Sequence, residues 1–316
     1  MAFQPPPNLC PVCKEGTTFF FRKDHKNQDG NFSLYECQSC TVQFWLPLKN
    51  PGAKWHGARE GYRTSELLRP VVKRAYHKRF LSRWGNALEG KRVLDIGCGA
   101  GEFLAELQKK GADVWGVEPQ KLAIAAAKRH FQLTHLFAMS FDEFMSAASP
   151  PLFDYVCCFE TLQYVDNPRE FVQHMQKILK PGGMVVLSVP SRTRLLADWN
   201  GWDFPPNHLT KWHRDAIKKI SELSRLYVKN VYYGEDFSLL LDAINRRVRF
   251  GMVSRVQRMN VKESTSVFLT FFLIWLGKLK EFLIGVIPAA FLWTWGKIRG
   301  VKNGTMVVEL QTTIFR

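Results

Sequence analysis

The sequence predicts an α/β fold, a parallel sheet of βαβ units preceded by a small cysteine ribbon. Three observations lead there. Short apolar runs alternate with helix-like patterns over residues 91 to 233, one of those runs turns through three alternating glycines into a helix, and two Cys-x-x-Cys pairs stand near the head of the chain. Strands that alternate with helices argue for βαβ units and a parallel sheet.

With 316 residues the chain has room for roughly two domains. Hydrophobic residues at 46% and charged residues at 23% exclude the composition of a disordered chain. The net charge of +16 favours a polyanionic neighbour, whether nucleic acid, an anionic lipid surface or a phosphorylated substrate. Seven cysteines are too few and too clustered for a disulfide scaffold, and the start MAFQPPPNLC lacks the charged and apolar regions of a secretory signal. The expected compartment is therefore the reducing cytoplasm.

Residues 1–50 form the ribbon, with turns at Lys14-Glu15-Gly16 and Gln28-Asp29-Gly30. Residues 51–90 carry nine Lys/Arg against three Asp/Glu, and Leu67, Leu68, Val71, Val72, Tyr76, Phe80 and Leu81 fall near helical spacing, which predicts a basic amphipathic linker helix. In the core, residues 91–233, strands are expected at Arg92–Ile96, Asp113–Val117, Tyr155–Phe159 and Met184–Val189, and helices beginning near Gly101, Pro119, Pro168 and Lys211. Residues 234–300 turn from basic to very apolar, and residues 301–316 hold a final core strand in TMVVELQTTIF. No repeat of fixed period interrupts this order.

A tetrahedral zinc site needs four thiolate or imidazole ligands, and Cys10, Cys13, Cys37 and Cys40 supply all four, with 23 residues between the pairs. The competing reading is a redox pair or unligated thiols, but no thioredoxin-like βαβ pattern adjoins them. Four protein sulfurs leave no open position for a catalytic water, so the expected zinc is structural. Cys98, Cys157 and Cys158 read as small apolar core residues.

The segment Val93-Leu94-Asp95-Ile96-Gly97-Cys98-Gly99-Ala100-Gly101-Glu102-Phe103 brings backbone close to a ligand. A dinucleotide fingerprint would need glycine where Glu102 stands, and a P-loop would need Gly-Lys-Ser/Thr. An acidic Asp95 before the turn suits a ligand with a cationic amino-acid portion, while the helix N-terminus after Gly101 suits a carboxylate.

This segment resembles motif I of the class I S-adenosylmethionine-dependent methyltransferases. Further similarities follow in the family's order: Val114-Trp115-Gly116-Val117-Glu118, Ser140-Phe141-Asp142, Phe153 to Glu160, and Leu179-Lys180-Pro181-Gly182-Gly183. The resemblance implies a Rossmann-like seven-stranded methyltransferase sheet. It also implies S-adenosylmethionine bound by Asp95, Gly97, Gly99, Gly101, Glu118, Phe141 and Asp142, with Glu118 on the ribose hydroxyls and Asp142 on the adenine amino group. The competing reading is a generic Rossmann-like domain whose glycines only permit packing. The ribbon, a linker with Tyr62, the core and Asn207-His208-Leu209-Thr210 together resemble a bacterial subgroup that modifies small molecules, surface glycans or lipids. Where many relatives carry Glu-His after the motif IV acid, this chain has Gln163-Tyr164, so neither a catalytic metal nor a histidine base is carried over at that place.

Methyl transfer from a sulfonium is an in-line displacement in which the protein positions the nucleophile and excludes water. The aromatic segment Trp199 to His208 is expected to wall the acceptor pocket, with His208 as candidate base or as a loop histidine that orders the turn. Tyr62 is a candidate lid or a surface residue. The apolar halves Val267–Leu276 and Leu283–Trp295 are each shorter than a membrane span, and the basic residues Arg246, Arg247, Arg249, Arg255, Arg258 and Lys262 precede them. A hairpin docking into an anionic membrane surface and a buried lid or dimer helix pair are the two readings. The favoured function is methylation of a small-molecule, glycan or lipid-linked acceptor at the cytoplasmic membrane face. An RNA methyltransferase that grips phosphates with its ribbon and linker, and a non-catalytic cofactor-binding scaffold, are the alternatives.

Overall fold

A computed structural model describes residues 7–15, 19–59, 74–147, 150–195, 203–234, 244, 286–299 and 304–312. Tyr62, the first part of the expected linker helix, Trp199, Trp202, the basic run from Arg246 to Lys262 and the apolar half Val267–Leu276 lie outside these residues.

The ribbon is a three-stranded meander of β1 (Phe19–Asn27), β2 (Gly30–Cys37) and β3 (Gln43–Leu46). Gln28 and Asp29 make the hairpin turn, where Asn27 Oδ1 accepts the Asp29 N–H at 2.8 Å, and Gly30 opens β2 at φ +146°. Helices α1 (Ala53–Arg59) and α2 (Ala75–Trp84) follow. The core then runs β4 (Arg92–Ile96), α3 (Glu102–Gln108), β5 (Asp113–Val117), α4 (Lys121–Phe131), β6 (His135–Phe137), α5 (Phe141–Ala147), β7 (Phe153–Phe159), α6 (Pro168–Lys177) and β8 (Leu179–Pro190). After it come β9 (Thr210–Lys211), α7 (Arg214–Leu223), β10 (Leu226–Tyr233), α8 (Ile287–Ile298) and β11 (Thr305–Thr312).

Seven strands make one sheet in the order β10-β11-β8-β7-β4-β5-β6. Strands β4 to β8 pair in parallel, and β11 enters antiparallel between β8 and β10. The period-2 alternation divides each strand between two cores. Leu94, Ile96, Val156 and Cys158 pack with α5, α6 and α7, whereas Val93, Cys157, Val186 and Val307 pack with α2, α3 and α4. Cys157 and Cys158 are therefore both fully buried, on opposite faces, and act as the small core residues expected of them. Chain polarity suits the helices as well. In α4 the Ala-rich run ends on Lys128, Arg129 and His130 beside the helix's negative pole, and Gln132 closes it in the left-handed region at φ +56°.

The expected helix start at Lys211 is corrected by a strand. Thr210 and Lys211 pair antiparallel with Phe44 and Gln43, giving the ribbon a fourth strand, and the helix starts at Arg214 with the His213 side chain accepting the Asp215 N–H. An exposed edge of β3 is thereby closed by a strand from the core. Ribbon and core accordingly share one compact unit, which also contains β10 and β11, while residues 191–203 and 235–304 form a second unit. Within that second unit Ile244, Ala289, Leu292, Trp293 and Leu195 pack together.

Where β10 ends and β11 begins, the Gly234 N–H donates to the Thr305 carbonyl at 2.8 Å.

Candidate functional site

The parallel strands β4, β5 and β7 all end on one edge, and at that edge β4 breaks into the glycine turn. Gly97, Gly99 and Gly101 take φ of +79°, +54° and +82°, a region that disfavours side chains. A Cβ on Gly97 would stand 2.3 Å from Thr161 Oγ1, and one on Gly101 would stand 2.9 Å from both Ala127 and Leu133. Around Gly99 a Cβ would meet nothing within 4 Å. The outer glycines are thus required by packing and the middle one faces open space. Gly97 N–H donates to the Val117 carbonyl at 2.8 Å, which fixes the loop to the end of β5.

Two carboxyls lie at this loop. Glu118 is buried, and its oxygens accept the Gln120 N–H at 2.9 Å and the Gly99 N–H at 3.2 Å. Burial raises its pKa, and the two backbone donors oppose that rise. Asp95 is only 4% exposed, and its Oδ1 meets no hydrogen-bond donor among the described residues. Burial, with Glu118 nearby, pushes its pKa up to about 8. A buried acid in this state gains by the arrival of a cation or a donor.

The loop opens on a cleft of about 450 Å³. Gly97 and Glu118 line one part, Phe141 and Asp142 another, and Asn50, Ala53, His56 and Tyr164 also contribute. Phe141 and Asp142 open α5, whose start is held by a capping box in which the Ser140 N–H donates to Glu143 at 2.6 Å and Ser140 Oγ accepts the Glu143 N–H at 3.2 Å. Glu160, at φ +51°, is anchored by the Ser188 hydroxyl at 3.1 Å. The structure brings Gly97, Glu118, Phe141 and Asp142 together around one cleft, with Asp95 and Gly99 beside it and Gly101 at the N-terminus of α3.

His208 is not among the residues lining the cleft. It is buried, and its ring meets that of Tyr164 edge-on at 5.2 Å. The aromatic Phe204, expected in the pocket wall, stacks on His25 at 4.4 Å and packs with Phe32, Leu34 and Trp45 of the ribbon. Sequence reasoning named Tyr62 in the linker but missed Asn50, Ala53 and His56, which line the cleft. Asn50 donates to the Tyr164 carbonyl at 2.7 Å and Gln120 Nε2 donates to the Ala53 carbonyl, which together hold α1 against the cleft and place His56 in it. Within 51–90 charge, helical spacing and Tyr62 carried a signal, and a lone histidine carried none.

The four ribbon cysteines meet in one buried cluster whose sulfurs all lie within 4.8 Å of one another. Cys10 and Cys40 are 3.6 Å apart and Cys13 and Cys37 are 3.7 Å apart, close to the edge of a tetrahedron built on Zn–S bonds of about 2.3 Å. The residue after each pair, Lys14 and Thr41, takes φ near +60° and returns its N–H to the carbonyl of Cys10 or Cys37, so the two knuckles repeat one geometry. Sulfur identity, spacing and burial all fit zinc, with no position left over for water.

Comparison with known proteins locates a methyltransferase domain at residues 66–224. The ubiquinone biosynthesis O-methyltransferase of Azoarcus sp. (strain BH72) is 35% identical over 150 residues, covering 45% of this chain and 64% of that protein. The mitochondrial ubiquinone biosynthesis O-methyltransferase of Schizosaccharomyces pombe is 36% identical over 114 residues, covering 35% of this chain and 42% of that protein. The chain thus spans less than two thirds of these relatives' own length. Phosphoethanolamine N-methyltransferase 2 of Haemonchus contortus, solved with S-adenosyl-L-methionine, shares the fold at a TM-score of 0.50 and 15% identity, over 92% of this chain and 71% of that one.

Proposed function

Because the chain belongs to the methyltransferase-domain family, we propose that it moves a methyl group from S-adenosylmethionine to a hydroxyl of a small, amphiphilic acceptor. One observation carries this reading: a buried Asp95, whose Oδ1 meets no donor among the described residues, and a backbone-anchored Glu118 meet at a glycine loop that opens on a cleft of about 450 Å³. The amino group and sulfonium of the cofactor would supply the positive charge that Asp95 lacks. Glu118 would take the ribose hydroxyls, with its geometry fixed in advance by Gly99 and Gln120, and Phe141 and Asp142 would receive the adenine. The hydroxyl acceptor is supported by the relatives' name as O-methyltransferases. In this reading Cys10, Cys13, Cys37 and Cys40 hold a structural zinc.

Calorimetry with S-adenosylmethionine on the full chain tests the cofactor site. Removing a charge-assisted hydrogen bond costs about 1.5–3 kcal/mol, so Asp95→Ala and Glu118→Ala should each weaken binding by about ten- to a hundredfold. Unchanged affinity in both variants would remove the reading.

For the acceptor's location, α8 supplies the support. Ile287, Phe291, Trp295 and Ile298 form one stripe at helical spacing and are 49%, 69%, 42% and 78% exposed. Lys297 lies over the Trp293 ring and Arg299 over the Trp295 ring at the same end of the helix. An apolar stripe with basic and tryptophan side chains suits the interface of an anionic bilayer, as do the basic residues from Arg246 to Lys262 in the sequence. No helix among the described residues is long and apolar enough to cross a membrane. The reading is therefore a protein that docks on the lipid surface and methylates an acceptor with an apolar tail.

A further inference from the structure

The tip of the ribbon hairpin touches both the segment that carries His56, which lines the cleft, and the segment that carries His208, which does not. Asp29 Oδ1 accepts the Trp55 indole N–H at 2.9 Å, and the Asn27 side-chain amide donates to the Pro205 carbonyl at 2.7 Å. From Trp55 the contacts run through a series of rings. Trp55 meets His56 edge-on at 5.0 Å, His56 meets Tyr164 at 5.3 Å, and Tyr164 meets His208 at 5.2 Å. His208 is three residues beyond Pro205, and its N–H donates to the Phe204 carbonyl at 3.3 Å. The circuit closes on the hairpin where it began. Of its two histidines, His56 lines the cleft.

We propose that His56 takes the proton of the acceptor hydroxyl during methyl transfer, and that Asn27 and Asp29 of the ribbon are positioning residues that hold it in place. The inference rests on the methyl-transfer reading above. In the step, a lone pair of the hydroxyl oxygen forms the O–CH3 bond while the S–CH3 bond breaks and leaves its electron pair on sulfur. The sulfonium becomes a neutral thioether, and the hydroxyl proton passes to the His56 imidazole and from there to solvent. For this the imidazole must arrive unprotonated. Burial, with His208 as a second influence, lowers its pKa to about 4. So weak a base suffices, because an oxygen bearing both a new methyl group and its original proton is far more acidic than an imidazolium.

The titratable groups about His56 come from every element packed near it. His208 and Tyr164 meet the ring series, Asp29 reaches it through Trp55, Lys54 shares its helix, and Glu118, Asp142, Glu160 and Asp166 line the same cleft. Burial raises the pKa of Asp166, and the Asn50 N–H and Lys49 oppose that rise. A histidine from the linker stands across the Tyr164 ring.

Two measurements on the full chain test the proposal. In protein labelled with 13C-histidine, the NMR signal lost in His56→Gln should be that of a neutral ring at pH 5.5. In the Asn27→Ala/Asp29→Ala double variant the same signal should be that of a protonated ring, with affinity for S-adenosylhomocysteine within twofold of wild type. A protonated His56 in wild type, or a neutral one in the double variant, overturns the positioning role. With labelled S-adenosylmethionine and a deproteinised extract of cells lacking the protein as the acceptor pool, His56→Gln should cut the initial rate by about a hundredfold or more while retaining S-adenosylhomocysteine affinity. A rate within threefold of wild type overturns the role of His56. Loss of cofactor binding in wild type itself would instead overturn the methyl-transfer reading.

Discussion

Asp95 holds a charge problem in the unliganded protein. Its pKa is about 8 in the fold against an ordinary 3.8. Between those values the folded state keeps a proton that the unfolded state has released, so stability falls as pH rises from about 4 to about 8. Burial raises Glu118 in the same direction. Asp95→Asn removes its share of that penalty. The variant should therefore melt above wild type at pH 8 and level with it near pH 4, while binding S-adenosylmethionine more weakly; thermal denaturation at the two pH values decides the point, and identical melting curves at pH 8 would contradict it. A cation bound beside Asp95 lowers its pKa, so cofactor binding at neutral pH should also release a proton. Asp95 was legible in the sequence as the acid that precedes the glycine turn. What could not be read was His56, whose place depends on Asn50 and Gln120 contacts made far along the chain.

Elements with their own local signal were read well, and elements created by a partner were not. Strands β4 and β5 have the expected bounds because a β-branched or apolar run ends at the glycine or acid that follows. By contrast, β6 has three residues and owes its strand character to pairing with β5, while Thr210-Lys211 looks helical by position until β3 claims it. The ribbon itself is bound to the core by this pairing and by the Trp45 N–H, which donates to the Leu209 carbonyl at 2.8 Å. Metal analysis of freshly prepared, reduced protein should give one zinc per chain. Small metal-bound ribbons gain much of their folding energy from the ion, so Cys37→Ser should lower zinc content and the melting temperature together. Full zinc retention in that variant, or none in wild type, would rule out the four-cysteine site.

At the scale of the whole molecule, the seven-stranded sheet was legible, whereas the insertion was legible only as composition. Its apolar and basic runs set it apart in composition but do not say where the chain leaves and rejoins the core. The structure places both ends in one hairpin. Strands β10 and β11 pair from Leu226↔Thr312 to Tyr233↔Met306, and the Gly234–Thr305 hydrogen bond closes the pair at the point of departure. To the sheet, everything between is merely the loop of a hairpin, and closure entropy depends only weakly on how long such a loop is. Residues 235–304 should therefore be removable in favour of a two-residue Asn-Gly turn. The shortened chain should fold, keep its S-adenosylhomocysteine affinity within about threefold, and lose flotation with anionic liposomes that wild type shows at low salt. Unchanged flotation, or a wild type that ignores such vesicles, would defeat the lipid reading. The hairpin works as a socket: the sheet can carry a different cassette between β10 and β11 without re-solving its own folding problem.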